Sequence, residues 1–183
     1  MNQVSKAFRS SKLWKAFLIY GLGDIMVRRV IIRKAVVEDV PSILGLWKEL
    51  MDFHRERDRL FSRSATGHEG FADFITGHIS SETSCVFVAA AGKDVVGYCL
   101  AFVEKYPPVL EIKEYGLVQD LAVTKKHRRS GIGKRLLKEA RSWFCEKGVH
   151  RVEARVAKTN MISIEFWAKM GFTPYLETVF LEI

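Results

Sequence analysis

Apolar positions along the chain change period several times, and each change predicts an element. Val30-Ile31-Ile32 is a β-branched run and predicts a short strand. Over residues 38 to about 57, Val40, Ile43, Leu44, Trp47, Leu50, Met51 and Phe53 fall at helical spacing, with Asp39 as N-cap and Pro41 in the first turn. The charged run 54–59 reads as a solvated helix end, and 63–70 as a polar loop. Phe71, Phe74, Ile75 and Ile79 predict a second, shorter helix. Residues 85–90 predict a strand, 91–94 a hairpin turn and 95–103 the returning strand, broken by Tyr106-Pro107-Pro108. A further strand is predicted over 114–123.

The second half continues the alternation. Ile132, Leu136, Leu137, Ala140 and Phe144 form one face of a helix over 131–147, stopped by Gly148. Val152, Ala154 and Val156 alternate with Arg151, Glu153 and Arg155, which predicts a strand over 149–156. Asn160 caps a helix over 160–170, Gly171 stops it, and one or two strands are predicted from Phe172. The order βααβββαβαβ, without repeat or linker, implies one α/β (mixed α+β) domain.

Composition changes this picture little. The chain has 183 residues, 48% hydrophobic and 27% charged, which suits one soluble domain. The net charge of +8 favours an anionic partner without choosing one. Lys6, Arg9, Lys12 and Lys15 face only Asp24 in the first 26 residues. Residues 16–23 are apolar but short and lack a small-x-small cleavage site, so export is not expected. Residues 1–26 read as an N-terminal extension, helical or disordered, with the domain at 27–183; Met26 is an alternative start. No apolar run reaches 18 residues, so no membrane contact is expected, and a cytoplasmic location follows. Cys85, Cys99 and Cys145 are few, distant and set in apolar patterns, which predicts buried free thiols and no metal site. The basic residues are scattered and no nucleic-acid motif appears, so no nucleic-acid partner is expected.

The informative stretch is Arg128-Arg129-Ser130-Gly131-Ile132-Gly133-Lys134, between a predicted strand and a predicted helix. Glycines let backbone approach a ligand, first-turn amides lack intrahelical acceptors, and the helix dipole favours an anion there. Arg128, Arg129, Lys134 and Arg135 add charge. A Walker A loop is excluded by Arg128 and Arg135, and a Rossmann fingerprint by Leu136 where its third glycine belongs.

Leu121-Ala122-Val123, then Arg128-x-x-Gly131-x-Gly133 and Leu136-Leu137, resembles the pyrophosphate motif of the GNAT superfamily of N-acetyltransferases. Asn160 followed by Gly171-Phe172, and the opening Ile32-Arg33-Lys34-Ala35 with Asp39, resemble two further signatures of that family. The resemblance runs from about Val30 to the C-terminus. It implies a single domain with a central mixed, mostly antiparallel sheet flanked by helices, acetyl-CoA as cosubstrate, a small-molecule or peptide amine as acceptor, and a homodimer. It also implies site roles. Arg128, Arg129, Ser130, Gly131, Ile132, Gly133 and Lys134 would hold the pyrophosphate, and Leu121, Ala122 and Val123 would pair with the pantetheine arm. A bulge nearby would splay two strands and present an amide to the acetyl carbonyl. Asn160 would contact the pantetheine, although a helix cap accounts for it equally.

The acid–base groups depart from the family pattern. Where many members place a tyrosine acid stands Trp167, whose indole donates a hydrogen bond but no proton; packing against the cofactor is the role left to it. The positions of the usual base hold Leu117 and Gln119. Gln119 would orient water or substrate, Glu153 is a candidate base, and Tyr115 a candidate acid, with packing or ion pairing as competing readings. Asp120 and Glu114 are further base candidates and Tyr175 a further acid; Asp120 faces opposite to Gln119 by strict alternation, which favours a structural role for it over that of base. A non-catalytic coenzyme A-binding or regulatory module stays open as the alternative.

Overall fold

Residues 30–182, described by the computed structural model, place helices on both faces of one sheet. The elements run β1 (Val30–Lys34), a 3-10 turn (Val37–Asp39), α1 (Val40–Arg55), a second turn (Arg59–Phe61), α2 (Gly67–Ile79), β2 (Ser84–Ala91), β3 (Asp94–Lys105), β4 (Glu114–Val123), a third turn (Lys125–His127), α3 (Ile132–Glu146), β5 (Val152–Ala154) and α4 (Met161–Lys169). The strands lie in the order β1-β2-β3-β4-β5. β2 and β3 are antiparallel, as are β3 and β4, whereas β4 and β5 are parallel. The extension assigned to 1–26 lies outside the described residues.

Alternation along β3 separates the two faces. Tyr98 and Leu100 join Val86, Val88 and Ala122 against Ile43 and Leu46 of α1 and Phe71 and Ile75 of α2. Gly97 points the other way, where a Cβ would stand 3.4 Å from Leu136 of α3. Gly116 shares that second face, and a Cβ on it would fall 2.4 Å from the ring of Phe144, which is fully buried. The ring has no room to retreat, so Gly116→Ala is expected to cost about 1–3 kcal/mol. At roughly 2–4 °C per kcal/mol for a domain of this size, thermal denaturation followed by circular dichroism reads the loss directly.

A bulge in β4 decides the rest of the geometry. Ala101 pairs with Val118 and Leu100 with Asp120, so Gln119 is an extra residue without a partner on β3. The extra residue reverses the alternation. Gly116 faces α3, yet Asp120 and Ala122, also even-numbered, face α1 and α2. The alternation argument that favoured a structural role for Asp120 therefore fails at Gln119.

Several sequence expectations are corrected. Asp39 holds the N-cap position of α1 as expected, but it makes no side-chain cap bond: it also ends the 3-10 turn, and its side chain turns back. It accepts 2.6 and 2.8 Å bonds from the Arg33 guanidinium and a 2.9 Å bond from the Val36 amide. The Arg33 hydrogen bonds outweigh burial and hold this carboxyl below the usual range. The strand expected over 149–156 narrows to Val152–Ala154, because the chain before it is taken up in closing α3. Gly148 adopts φ +74°, and Val149 donates to Phe144 O at 2.9 Å, a Schellman closure. Gly171 (φ +88°) and Phe172 close α4 in the same way. No strand forms after Phe172 among the described residues. The edge there, β5, offers three paired positions, and Leu176, Val179, Phe180 and Leu181 are left exposed. Cys85 and Cys99 are buried, but Cys145 is exposed because it lies off the α3 face that carries Trp143 and Phe144.

Candidate functional site

Beyond Val118 and Ala154 the parallel pairing stops, while β4 runs on to Val123. Residues 119–123 thus have a β3 side engaged up to the bulge and beyond it, and a β5 side with no partner strand among the described residues. That open edge leads into the glycine-containing turn.

The turn is exposed at Arg128, Arg129, Ser130 and Gly131. Arg129 (φ 61°) and Gly131 (φ +82°) are both left-handed, which turns the chain sharply into α3. The first i to i−4 bond of the helix runs from Arg135 N–H to Gly131 O at 3.1 Å. Among the described residues, no backbone acceptor meets the amides of residues 129–134. Unpaired amides, the helix dipole and the cations of Arg129 and Lys134, which have no ion-pair partner among the described residues, make this turn a candidate anion site.

The two glycines have different jobs. A Cβ on Gly131 would meet nothing within 4 Å, so glycine is needed there for its backbone angle. A Cβ on Gly133 would stand 3.3 Å from Phe166 and 3.4 Å from Leu121. That glycine lets the start of α3 close onto β4 and α4. Arg128 turns away from the loop: its Nε donates to Val123 O at 2.9 Å and its Nη2 to Glu49 Oε1 at 3.1 Å, beside the ring of Phe53. Glu49 also accepts from the Lys125 amide at 3.2 Å. This pair is solvent-exposed, so it serves to fix the loop against α1 more than to stabilise the fold.

Asn160 and Trp167 are both buried and both engaged by protein. Asn160 Oδ1 accepts from the Ser163 amide at 3.1 Å, the cap geometry. Trp167 Nε1 donates to Ser163 Oγ at 3.0 Å, and its ring meets Phe166 and Phe172 edge-on.

Glu153 and Tyr115 belong to a cluster on β4, β5 and their flanks. Glu153 accepts from Tyr106 Oη, from Arg151 Nε at 2.8 Å and from Tyr175 Oη at 2.7 Å. Burial pushes its carboxyl up, but the three hydrogen bonds and the Arg151 charge together hold it below the usual range. A carboxylate saturated in this way is a weak proton acceptor. Tyr115 stacks on Tyr106 with centroids 4.3 Å apart. Gln119 is exposed at the bulge.

Asp120 is the base candidate that strand alternation ranked as structural. Its Oδ2 accepts a 2.8 Å hydrogen bond from the hydroxyl of Tyr98, a residue with no exposed surface. Burial raises the Asp120 carboxyl above its ordinary value, and the Tyr98 bond opposes only part of that rise. Burial and the Asp120 charge push the Tyr98 hydroxyl far up, so it donates and does not ionise. A carboxyl raised by burial, one residue past the bulge and on an open strand edge, is a candidate for proton transfer. Tyr98, 22 residues away, carries no local signal that points to Asp120, and Glu49 none that points to Arg128.

A cleft of about 670 Å³, lined by Lys113, Glu114, His150 and Arg151 among others, lies where β4 begins. It is at the opposite end of that strand from the turn, and the positive-φ glycine in its lining, Gly148, closes α3 where Gly131 opens it, so the turn is the better candidate for a phosphate.

Residues 46–172 match the model of the acetyltransferase (GNAT) family. Among curated proteins, N-acetyltransferase family 8 member 3 of Mus musculus is 28% identical over 113 residues, 62% of this chain and 49% of the relative. The uncharacterized N-acetyltransferase YobR of Bacillus subtilis (strain 168) is 29% identical over 66 residues, 36% of this chain and 27% of the relative. The chain thus spans about half the length, or less, of these relatives. Among solved structures, a mutant of the BH1408 protein from Bacillus halodurans superposes with a TM-score of 0.75 at 22% identity, covering 84% of this chain and 99% of that one. Aminoglycoside N-acetyltransferase AAC(6')-Iy in complex with CoA gives 0.69 at 17% identity, covering 85% and 95%. No helix among the described residues is long and apolar enough to cross a membrane. With the motif turn, the bulged strand and the matched segment in one continuous arrangement, the chain belongs to the GNAT acetyltransferase family.

Proposed function

We propose that this chain transfers the acetyl group of acetyl-CoA to a primary amine of a small molecule or peptide, by direct attack in a ternary complex. The observation that carries this reading is the partnerless edge of β4 leading into the amides of residues 129–134. The amides from Arg129 to Lys134 would hold the pyrophosphate, and the edge at Leu121, Ala122 and Val123 would pair with the pantetheine arm. When bound, acetyl-CoA supplies a thioester carbon and a thiolate leaving group. Asp120 accepts the proton of the acceptor ammonium, directly or through a water, and the bulge brings it to the α1 and α2 face where an acceptor enters. An alkylammonium has a pKa of about 10.4, so such a base is required. The departing thiolate, with a pKa of about 8.5, leaves without an assigned acid. That is consistent with Trp167 holding the place of the usual tyrosine.

Fold neighbours include aminoglycoside N-acetyltransferases, so aminoglycosides belong in an acceptor panel with polyamines, amino acids and peptide N-termini. Free-thiol release from acetyl-CoA is expected to rise well above background hydrolysis with at least one amine class. The engagement of Trp167 with Ser163, and of Glu153 with Arg151, favours a second reading, a coenzyme A-binding module without turnover. Calorimetric binding of acetyl-CoA with no amine-dependent thiol release across the whole panel would establish that reading and overturn the first.

A further inference from the structure

A second concentration of positive charge lies away from the turn, between α1 and α2. Lys48 and Arg55 of α1, Ser62, Arg63 and Ser64 of the connecting loop, and His68 of α2 line a depression of about 340 Å³. Lys48, Asp52 and Arg55 follow i, i+4 and i+7 spacing, so they share one stripe of α1. The neighbouring stripe, with Glu49 and Phe53, contacts Arg128. The depression and the glycine turn are therefore separated by α1, whose diameter with side chains is about 10–12 Å.

The charges do not cancel. Lys48, Arg55 and Arg63 are three permanent cations at neutral pH. Asp52 offsets one of them: its Oδ1 lies 2.7 Å from Arg63 and 3.6 Å from Arg55. Glu69 stands 3.9 Å from His68. Lys48 is half-buried and has no hydrogen bond or ion pair among the described residues, and the hydroxyls of Ser62 and Ser64 have no partner there either. A half-buried lysine without a partner, two hydroxyl donors and an excess of about one positive charge match a tetrahedral oxyanion, with its several acceptor oxygens, better than a single carboxylate.

We propose that this depression binds the phosphate group of a small molecule, as a site separate from the one that would hold the pyrophosphate of acetyl-CoA. The binding claim stands independently of acetyl transfer. The phosphate would belong either to a phosphorylated amine acceptor or to a free phosphate ligand.

Inorganic phosphate titrated into the full chain, followed by calorimetry or by broadening of the phosphorus resonance, tests the site. Saturable binding is expected in the wild type. Lys48→Gln, and separately the exposed Arg55→Gln, should each weaken it about ten-fold with unchanged thermal denaturation. Gly131→Glu, which acts on the turn, should leave it intact. Phosphate binding that is absent from the wild type, indifferent to both substitutions, or lost in Gly131→Glu overturns the proposal. The source is then read by comparing a phosphorylated amine with its unphosphorylated parent as acceptors. A KM raised by Lys48→Gln for the phosphorylated amine alone identifies the acceptor. Equal behaviour of the two amines, with phosphate still bound, identifies a free ligand.

Discussion

Gly131→Glu is expected to raise the dissociation constant for acetyl-CoA at least 100-fold while leaving a folded protein. The position is exposed and a Cβ there meets nothing within 4 Å, so the substitution adds no clash. It does force a non-glycine residue to φ +82°, a strain of about 1–3 kcal/mol. The new carboxylate would sit among the amides of residues 129–134, take them as its own donors and repel a diphosphate. Hydrogen bonds to a charged group are worth about 1.5–3 kcal/mol each, and two of them lost amount to a factor of about 100 or more. Gly131→Ala separates the causes, because it carries the same strain without the charge. Its affinity should stay within about ten-fold of wild type, with a similar fall in melting temperature. Titration calorimetry with acetyl-CoA, beside thermal denaturation of both variants, makes the comparison. Wild-type affinity in a folded Gly131→Glu variant would remove the turn from the cofactor site. Gly133→Glu is the poorer probe, since its Cβ would press on Phe166 and confound binding with packing.

What the sequence made legible follows from how each feature is encoded. The glycine turn proposed for the pyrophosphate is carried by backbone in one contiguous segment, and the glycines and basic residues that shape it stand side by side from Arg128 to Lys134. Helices α1 and α3 were equally plain, because their apolar faces repeat over three or more turns. The bulge was implied by the family resemblance but its place was not legible, for Leu117 to Val123 reads as one unbroken strand pattern and the extra residue shows only in the register against β3. That single residue moved Asp120 to the other face and with it the assignment of the base. The candidate groups for proton chemistry are scattered over β3, β4 and β5, and no local pattern links Tyr98 to Asp120 or Tyr106 to Glu153. The end of the chain failed for a different reason. Residues 172–182 have strand-like composition, but a strand is a pairwise object, and the edge beside them is only three residues long. Gly116 gave no signal at all, since its purpose is the ring of Phe144 on another element.

Asp120→Asn should separate catalysis from stability. The carboxamide keeps an oxygen to accept the Tyr98 hydroxyl at nearly the same place, so the fold loses little. The sign of the linkage then favours the variant. Burial raises the folded pKa of Asp120 above the unfolded value of about 3.9. Between those two values the folded state binds more protons than the unfolded one, so this group's contribution to stability falls as pH rises through the window. Above it, a charge is held in a poorly solvated site, and asparagine removes that burden. At neutral pH the variant should therefore melt at or above the wild-type temperature. Its kcat/KM with any accepted amine should drop about 100-fold or more, the range of a lost general base. The wild-type pH profile should show an acidic limb above the usual carboxylate range, and that limb should vanish in Asp120→Asn. Tyr98→Phe removes the bond that restrains the shift, so it should move the limb to higher pH without abolishing activity. An Asp120→Asn variant with wild-type rates, or one that loses stability and activity in parallel, would return Asp120 to a purely structural role and leave proton removal to water alone.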